Sequence, residues 1–313
     1  SVLTVPTSLM KKGDFSEVGT TVYDPATIAA NGTRQPFAAN RIPSNRFDPV
    51  AMKILGYISD PTGPGISNNF YSQAGTTGRS DDFSVKIDRR ISDRQNLYGR
   101  FSWQTVNNTT GDDFNNAGSP DSGISGTRSR SVTVDDNYMV GGWVLHGNLG
   151  YAYFANPRDS SSRGFDLTSL GFPASLKQQA QFAMFPRIEP AGYTSLGGNA
   201  TWIIGNKFET YTGIADATRL FGGHTIKTGG VYRRNRVSNF RPNSPAGLFS
   251  FNEGWTREAF NGNRGGNTIA SMMLGLMSGG RIQYEPQPAL QVQYAGVYFQ
   301  DDWRINERLT INL

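Results

Sequence analysis

Hydrophobic and polar residues alternate in eight short stretches of the chain, and the stretches come in four pairs with a short turn inside each pair. The pairs are 82–91 with 97–105, 131–140 with 144–155, 208–219 with 224–237, and 291–305 with 309–313. A period of two residues predicts β-strands, because successive side chains of a strand point to opposite faces of the sheet. Each pair is therefore predicted to form a β-hairpin.

Two features refine this pattern. The turn sequences Arg90-Ile91-Ser92-Asp93-Arg94 and Arg304-Ile305-Asn306-Glu307-Arg308 resemble each other, which predicts hairpins of the same construction. Two residues break the alternation: Asp136 has the parity of apolar neighbours, and Val231 has the parity of basic ones. A bulge, or a position near a membrane interface, would accommodate either residue.

Long segments rich in Gly, Asn, Ser and Pro separate the hairpins, at about 1–80, 106–130, 156–207 and 238–290. Such loops are uncommon in compact soluble domains, whereas outer-membrane barrels combine short periplasmic turns with long extracellular loops. Strands of about 9–14 residues suit a tilted bilayer crossing. Short helices are predicted within these loops after Asp48, where Pro49 follows the cap and Gly56 ends the helix, and after Asn267. Periodicity alone leaves a soluble all-β protein as an equal alternative.

The composition fits either class, with 37 Gly, 13 Tyr, 19 Phe and 5 Trp among 313 residues. The absence of cysteine excludes disulfides, thiolate metal sites and Cys nucleophiles. The formal net charge of +5 is diffuse, so solubility explains it more simply than attraction to lipopolysaccharide or nucleic acid. No stretch approaches the roughly 18 apolar residues of a spanning helix. Because residues 1–6 also lack signal-peptide character, we expect a membrane form of this chain to span by strands and its natural N-terminus to lie upstream.

We find no catalytic constellation in the sequence. The two histidines, His146 and His224, fall within predicted strands, where a lumen or strand-interface role is the simpler interpretation. Gly123-Ile124-Ser125-Gly126 lacks the spacing of a nucleophile elbow, and the acidic doublets lack the spacing of a calcium loop. The chain is therefore predicted not to be an enzyme, with no metal, no cofactor and no nucleic-acid partner.

A series of short segments, in order along nearly the whole chain, resembles the TonB-dependent receptors of the Oar-like group. The segments are Val5-Pro6-Thr7, Lys12-Gly13-Asp14-Phe15-Ser16, Tyr23-Asp24-Pro25, residues 31–37, Asn40-Arg41-Ile42-Pro43, residues 46–51, Gly164-Phe165-Asp166, Leu170-Gly171-Phe172-Pro173, residues 192–198, 223–230, Arg233-Arg234, 298–303 and 309–313. Each string is weakly specific, and their order gives the resemblance its strength.

This resemblance implies a large outer-membrane barrel of about 22 strands with a plugged lumen. The chain would supply about eight antiparallel transmembrane strands, with residues 1–80 as a large loop region and 81–313 as barrel hairpins whose long extracellular loops carry short helices. The expected function is energised movement of an unidentified ligand across the bacterial outer membrane. The expected partners are outer-membrane lipid and lipopolysaccharide, that ligand, and the inner-membrane TonB complex. Neither a plug nor a TonB-contacting segment is recognisable, and we expect TonB to act through a missing plug region.

The strand parity and the loops then supply candidate site residues. Polar and basic residues expected at the lumen or on the loops, where they would contact the ligand, are Lys86, Arg100, Gln104, Lys227, Arg233, Arg34 and Arg41, with Arg46 also on a loop. Aromatic residues expected at the membrane interfaces are Trp103, Tyr138, Trp143, Tyr151, Tyr153, Tyr232, Phe299 and Trp303. The alternative from another class is a soluble or surface-exposed β-rich adhesin, in which these aromatics would be buried between sheets.

Overall fold

The computed structural model describes residues 1–199 and 203–313. The strands of the described residues are β1 Val2–Leu3, β2 Phe70–Tyr71, β3 Thr77–Ser92, β4 Gln95–Thr110, β5 Gly123–Val140, β6 Trp143–Ser160, β7 Arg187–Pro190, β8 Ile204–Phe221, β9 His224–Ser238, β10 Leu248–Phe251, β11 Gly279–Arg281, β12 Ala289–Asn306 and β13 Leu309–Asn312. The helices are α1 Pro49–Leu55, α2 Ala174–Gln179 and α3 Thr268–Met273, with 3-10 turns at Met10–Lys12, Pro25–Thr27, Ala38–Asn40, Ser44–Arg46, Leu167–Leu170 and Glu253–Thr256.

Eight of these strands form one antiparallel sheet in the order β13-β12-β9-β8-β6-β5-β4-β3. The four predicted hairpins are all present, and each lies next to the following one, since β4 pairs with β5, β6 with β8, and β9 with β12. This confirms the predicted all-β, antiparallel barrel segment of eight strands. Among the described residues, no helix has the length and apolar character needed to span a membrane.

The long strands extend further than the alternating pattern indicates. β5 begins at Gly123 rather than Ser131, and β3 begins at Thr77, four residues before the predicted boundary at 81. Backbone pairing continues through these stretches of Gly, Ser, Thr and Arg, although neither face is apolar enough to produce a periodic signal. An 18-residue strand such as β5 is roughly 60 Å long. About ten tilted residues cross a bilayer, so the strands also project beyond it.

The structure of two turns explains why the sequences 90–94 and 304–308 resemble each other. In β3–β4 and in β12–β13 the pairing register shifts by one residue, at Ile91 and Ile305, just before the last residue pair that closes a two-residue turn. Each turn is closed by a polar side chain: Ser92 Oγ accepts the Arg94 N–H at 3.2 Å, and Asn306 Oδ1 accepts the Arg308 N–H at 2.9 Å. The two similar sequences therefore form the same bulged hairpin.

All four long segments lie at the opposite end of the sheet from the turns. They pack together, so that the main hydrophobic core of the protein lies in the loops and not in the sheet. Core members come from every long segment: Val5, Met10, Phe15, Val22, Phe37, Ile42, Ile54, Leu55, Phe70, Phe114, Leu170, Phe185, Ile188, Leu196, Phe251, Ile269, Met272 and Met273. We call this unit the loop core. It also contains the small sheets β1–β2 and β7–β10–β11.

Both predicted helices are confirmed within the loop core. Asp48 caps α1 by accepting the Ala51 N–H at 2.8 Å, and Pro49 occupies the first turn. Asn267 caps α3 by accepting the Ile269 N–H at 2.8 Å, and every residue of α3 is buried. A side-chain cap at the start of a short helix is a local signal, which explains why the sequence revealed both. Helix α2 has no side-chain cap and was not predicted.

Candidate functional site

The pairing register assigns every strand residue to one of two faces, because directly paired residues share a face. One face, the polar face, includes Ser84, Lys86, Arg100, Gln104, Ser131, Thr133, Asp135, His146, Thr210, Asp216, Lys227 and Arg233. The other, the apolar face, includes Phe83, Val85, Ile87, Phe101, Trp103, Val132, Val134, Leu149, Tyr151, Tyr211, Tyr232, Val297 and Phe299. The division is weaker on β12, where Val292 and Tyr294 lie on the polar face.

All five strand residues predicted to face the lumen lie on the polar face and are exposed. Lys86 and Arg100 are directly paired, and Arg233 belongs to the same row across the sheet, four strand spacings or about 19 Å from Arg100. Gln104 lies two rows nearer the loops, and Lys227 lies three rows nearer the turns. The structure thus brings Lys86 and Arg100 together and distributes the other three along the same wall.

The charges of this row are only partly compensated. Lys86 Nζ pairs with Asp88 Oδ1 at 2.8 Å and lies 4.7 Å from the ring centroid of Tyr98. Arg100 and Arg233 make no hydrogen bond or ion pair with any other described residue. Like charges directly opposite each other destabilise a strand pair. The Lys86–Arg100 pairing therefore marks a part of the wall that an anion would stabilise.

The polar face carries a hydrogen-bond network around His146 that was not predicted from the sequence. His146 bridges two carboxylates, with Nδ1 at 2.8 Å from Asp216 Oδ2 and Nε2 at 2.9 Å from Asp135 Oδ2. Asn148 and Asn137 donate to the oxygens of Asp135 at 2.9 and 3.0 Å. Carboxylates only accept, so the ring satisfies both contacts as an imidazolium.

This network joins β5, β6 and β8 across the polar face. The two carboxylates lie on opposite sides of the ring and do not converge on one point, and the described part of the chain holds no group of three His, Asp or Glu able to bind a metal. The strand register was the missing signal, because Asp216 becomes a neighbour of His146 only when β8 pairs with β6.

The eight aromatics predicted at the membrane interface all lie on the apolar face, in two groups. Trp103, Tyr151, Tyr153 and Tyr232 occupy its loop half, and Tyr138, Trp143, Phe299 and Trp303 occupy its turn half. On β6, ten residues separate Tyr153 from Trp143, which is roughly 33 Å along the strand and roughly 25 Å along the normal at a tilt of about 40°. That separation equals the usual height of the apolar band of an outer-membrane barrel.

The aliphatic side chains beside and between the two groups are exposed: Leu149 and Ile87 lie in the row of Tyr232, and Val297 lies in the next row toward the turns. Val297, Leu149 and Ile87 have 91%, 68% and 68% of their surface accessible, respectively. A soluble sandwich would bury such residues between its sheets. Asp136 and Val231 lie on the faces that their parity predicts, without a bulge.

Each irregular residue has a partner on its face. Asp136, near the turn end of β5, accepts hydrogen bonds from Gln95 Nε2 at 2.9 and 3.2 Å. Val231 is paired with Ile214, so that two apolar side chains lie together on the polar face. Both residues are thereby accommodated without interrupting the ladder.

The loop candidates have different environments. Arg34 is only 5% exposed, and its Nη1 donates to the carbonyl oxygens of Gly254 and Arg257 at 3.1 and 3.0 Å. Burial lowers its pKa. Arg34 thus joins two segments of the loop core, and this position does not support the ligand contact expected of it.

Arg41 remains on the surface, where it pairs with Asp14 at 2.8 Å. Arg46 forms a two-pronged pair with Asp24, both contacts being 2.9 Å. Burial acts against ionisation of Asp24, but the hydrogen bonds from Arg46 and from the Ala26 N–H outweigh it and lower the pKa of Asp24. Of the three loop arginines, Arg41 is therefore the most accessible to a ligand.

A family model described as an outer membrane beta barrel domain matches residues 1–313. No curated protein matches the sequence.

Several solved structures resemble the fold at low identity. The outer membrane transporter YddB from Escherichia coli is 12% identical, with 82% of this chain and 35% of that one covered and a TM-score of 0.38. The ferric-catecholate import receptor Fiu from E. coli K12, in its closed form, is 11% identical, with 92% and 37% covered and a TM-score of 0.34. A variant of the ferric enterobactin receptor PfeA from Pseudomonas aeruginosa is 12% identical, with 76% and 33% covered and a TM-score of 0.32. The chain spans about a third of the length of these proteins.

Proposed function

Because this chain belongs to the outer membrane beta-barrel domain family, we propose that it forms part of the wall of a TonB-dependent transporter of the Oar-like kind. The protein lies in the bacterial outer membrane. The transporter moves a ligand across that membrane with energy relayed by the TonB complex of the inner membrane. The ordered series of Oar-like segments in the sequence supports this finer assignment, and the family membership supports the barrel.

The observation that carries the proposal is the division of the sheet into two faces. The apolar face exposes aliphatic side chains beside and between two groups of aromatics, as a lipid-facing surface requires. We assign the eight aromatics to the two membrane interfaces, where amphipathic rings lie at the level of the headgroups. The polar face then lines the lumen, and its hydrogen-bonded and charged residues meet water and ligand.

The charges of the polar face indicate which ligands the wall favours. Arg100 and Arg233 are unpaired among the described residues, and Lys86 lies opposite Arg100. Guanidinium groups bind carboxylates and phosphates through paired hydrogen bonds. We therefore assign Lys86, Arg100 and Arg233, with Gln104 and Lys227 on the same wall and Arg41 at the loop surface, to the path of an anionic ligand.

Single-cysteine labelling tests the proposal, because the chain contains no cysteine of its own. Tyr232 and Arg233 are adjacent on β9 and lie on opposite faces. In cells producing the natural gene product, we expect Arg233→Cys to react with a hydrophilic maleimide added outside and Tyr232→Cys to resist it. The reaction of Arg233→Cys should accelerate when the inner membrane is energised and slow when TonB is deleted or a protonophore is added.

Two results would contradict the proposal in distinguishable ways. Equal labelling of the two cysteines would refute the lumen assignment of the polar face. Labelling of Arg233→Cys alone, at a rate independent of TonB and of the protonophore, would retain the barrel wall and refute energised transport.

A further inference from the structure

The apolar face carries a group of basic residues at its loop end. Arg130, Lys207 and Arg236 are exposed, and Arg234 is half-buried. Lys207 and Arg236 lie on neighbouring strands, and Arg234 lies one row nearer the turns, beside Tyr211. Arg130 belongs to the same row as Arg236, three strand spacings or about 14 Å away.

One carboxylate lies among these cations and is already engaged. Glu209 Oε1 accepts from the Tyr151 hydroxyl at 3.1 Å, and Glu209 Oε2 lies 3.9 Å from Arg236 Nη1. Four basic residues less one acid leave a local charge of +3. The unneutralised charge of this group therefore lies at the loop end of the apolar face, whereas Arg89 and Asp136 lie near its turn end.

The basic side chains retain free donors. Arg234 uses Nε and Nη2 on Gln291 Oε1, which leaves Nη1 available. Lys207 makes no hydrogen bond or ion pair with any other described residue. A surface groove of about 280 Å³ is lined by Lys207, Glu209, Arg236, Ser238, Ala289 and Gln291, so that the donors lie around one depression.

The position of the group decides which anion it suits. Arg130 pairs with Tyr153, and Arg234 pairs with Tyr211, so the cations lie among the aromatics of the loop half. In a barrel that places long loops outside, this is the headgroup level of the outer leaflet. A soluble anion has no reason to favour the lipid-facing side of the wall, whereas a lipid phosphate is held there by its acyl chains.

We propose that Lys207, Arg234, Arg236 and Arg130 form a binding site for the phosphate of a phosphorylated glycolipid in the outer leaflet. The acyl chains of the lipid lie along the aliphatic rows toward the turns, and the groove beside Arg236 receives the headgroup. This site is on the opposite face from the proposed ligand path and does not depend on transport.

Native mass spectrometry of the natural gene product, purified in mild detergent, tests this site. The probes are bisphosphorylated lipid A and the same lipid after enzymatic dephosphorylation. We expect the phosphorylated lipid to form adducts that the dephosphorylated lipid does not. The combined variant Lys207→Gln, Arg234→Gln and Arg236→Gln should bind the phosphorylated lipid roughly hundredfold more weakly.

Two control variants isolate the position of the charge. Arg89→Gln removes a cation from the turn end of the same face, and Arg90→Gln removes one from the opposite face of β3. Both should retain wild-type lipid binding. Equal binding of the two lipids by the wild-type protein would overturn the proposal, and so would equal losses in the controls. Complete displacement of the lipid by inorganic phosphate at the same concentration would assign the site to free phosphate and also overturn it.

Discussion

Replacing Phe185 by alanine should loosen the loop core without unfolding the barrel wall. Phe185 is completely buried, and its ring lies 4.9 Å from that of Tyr57 and 5.1 Å from that of Phe165. A Cβ placed on Gly118 would lie 3.4 Å from Phe185 Cζ, so this one ring connects three of the long segments. None of these contacts is made by a residue of the eight-stranded sheet.

The free-energy cost of Phe185→Ala follows from the burial of the phenylalanine ring. Truncating a fully buried phenylalanine to alanine costs about 3–5 kcal/mol, through lost transfer free energy and the cavity that remains. At about 4 kcal/mol, the equilibrium for opening the loop core shifts by roughly a thousandfold, since each 1.4 kcal/mol is a factor of ten. A protease that cleaves the open form slowly reports this equilibrium directly.

The assay is protease cleavage of the extracellular loops on intact cells, with the migration of the folded barrel on unheated SDS gels as a second readout. We expect Phe185→Ala to be cleaved several hundredfold faster or more, with the folded-barrel band retained. Ile28→Ala is the matched control, because Ile28 is a loop residue with 61% of its surface exposed. Its cleavage rate should stay within about twofold of the wild type. A Phe185→Ala protein cleaved at the wild-type rate, or one that loses the barrel band together with the loops, would refute an independently packed loop core.

Three further outcomes are expected. His146→Ala removes two charge-assisted hydrogen bonds and leaves Asp135 and Asp216 facing each other, so the free energy of unfolding, measured with urea in lipid bilayers, should fall by about 2–4 kcal/mol. His224→Ala loses only one such bond and should lower the free energy of unfolding by less. Equal losses in the two variants would contradict the bridging role of His146. The hydrogen bond from Lys177, followed by those from Thr168, lowers the pKa of Asp166 to about 2. Because this pKa is lower in the folded protein, ionised Asp166 stabilises the fold at pH values above the ordinary carboxyl pKa of 3.8, and this contribution is lost as the pH falls toward 2. Protease resistance of the 166–179 segment should therefore fall between pH 3.8 and about pH 2 in the wild type and not in Asp166→Asn. Gly197 has a φ of +71°, and an added Cβ would lie 2.5 Å from the Pro186 carbonyl oxygen. Gly197→Ala should therefore strain this turn and increase protease cleavage of the loops on cells. A cleavage rate equal to that of the wild type would show that the alanine causes no strain there.

Local physical rules were sufficient for the hairpins and for the two capped helices. The alternation around Phe101 and Trp103, the two glycines at 141 and 142, and the cap at Asp48 each act within a few residues, so they are readable along the chain. Parity and the polarity of neighbouring residues were together enough to place Lys86, Arg100 and Arg233 on the same face, because a period of two admits only two faces and the polar set of each strand belongs to one of them.

Contacts between distant segments were decided only by the tertiary structure. The sequence placed Arg34 on an exposed loop, but the segment at 254–257 packs over it and takes up its guanidinium. His146 gains Asp216 as a partner only through the pairing of β6 with β8, 70 residues later in the chain. The loop core has the same origin, since its buried residues are scattered through loops that lack any short-range periodicity. The sequence by itself determined the strands and their two faces. The tertiary structure decided which loops pack together and which charged side chains form pairs, because those contacts depend on the register between strands and join segments that are far apart in the chain.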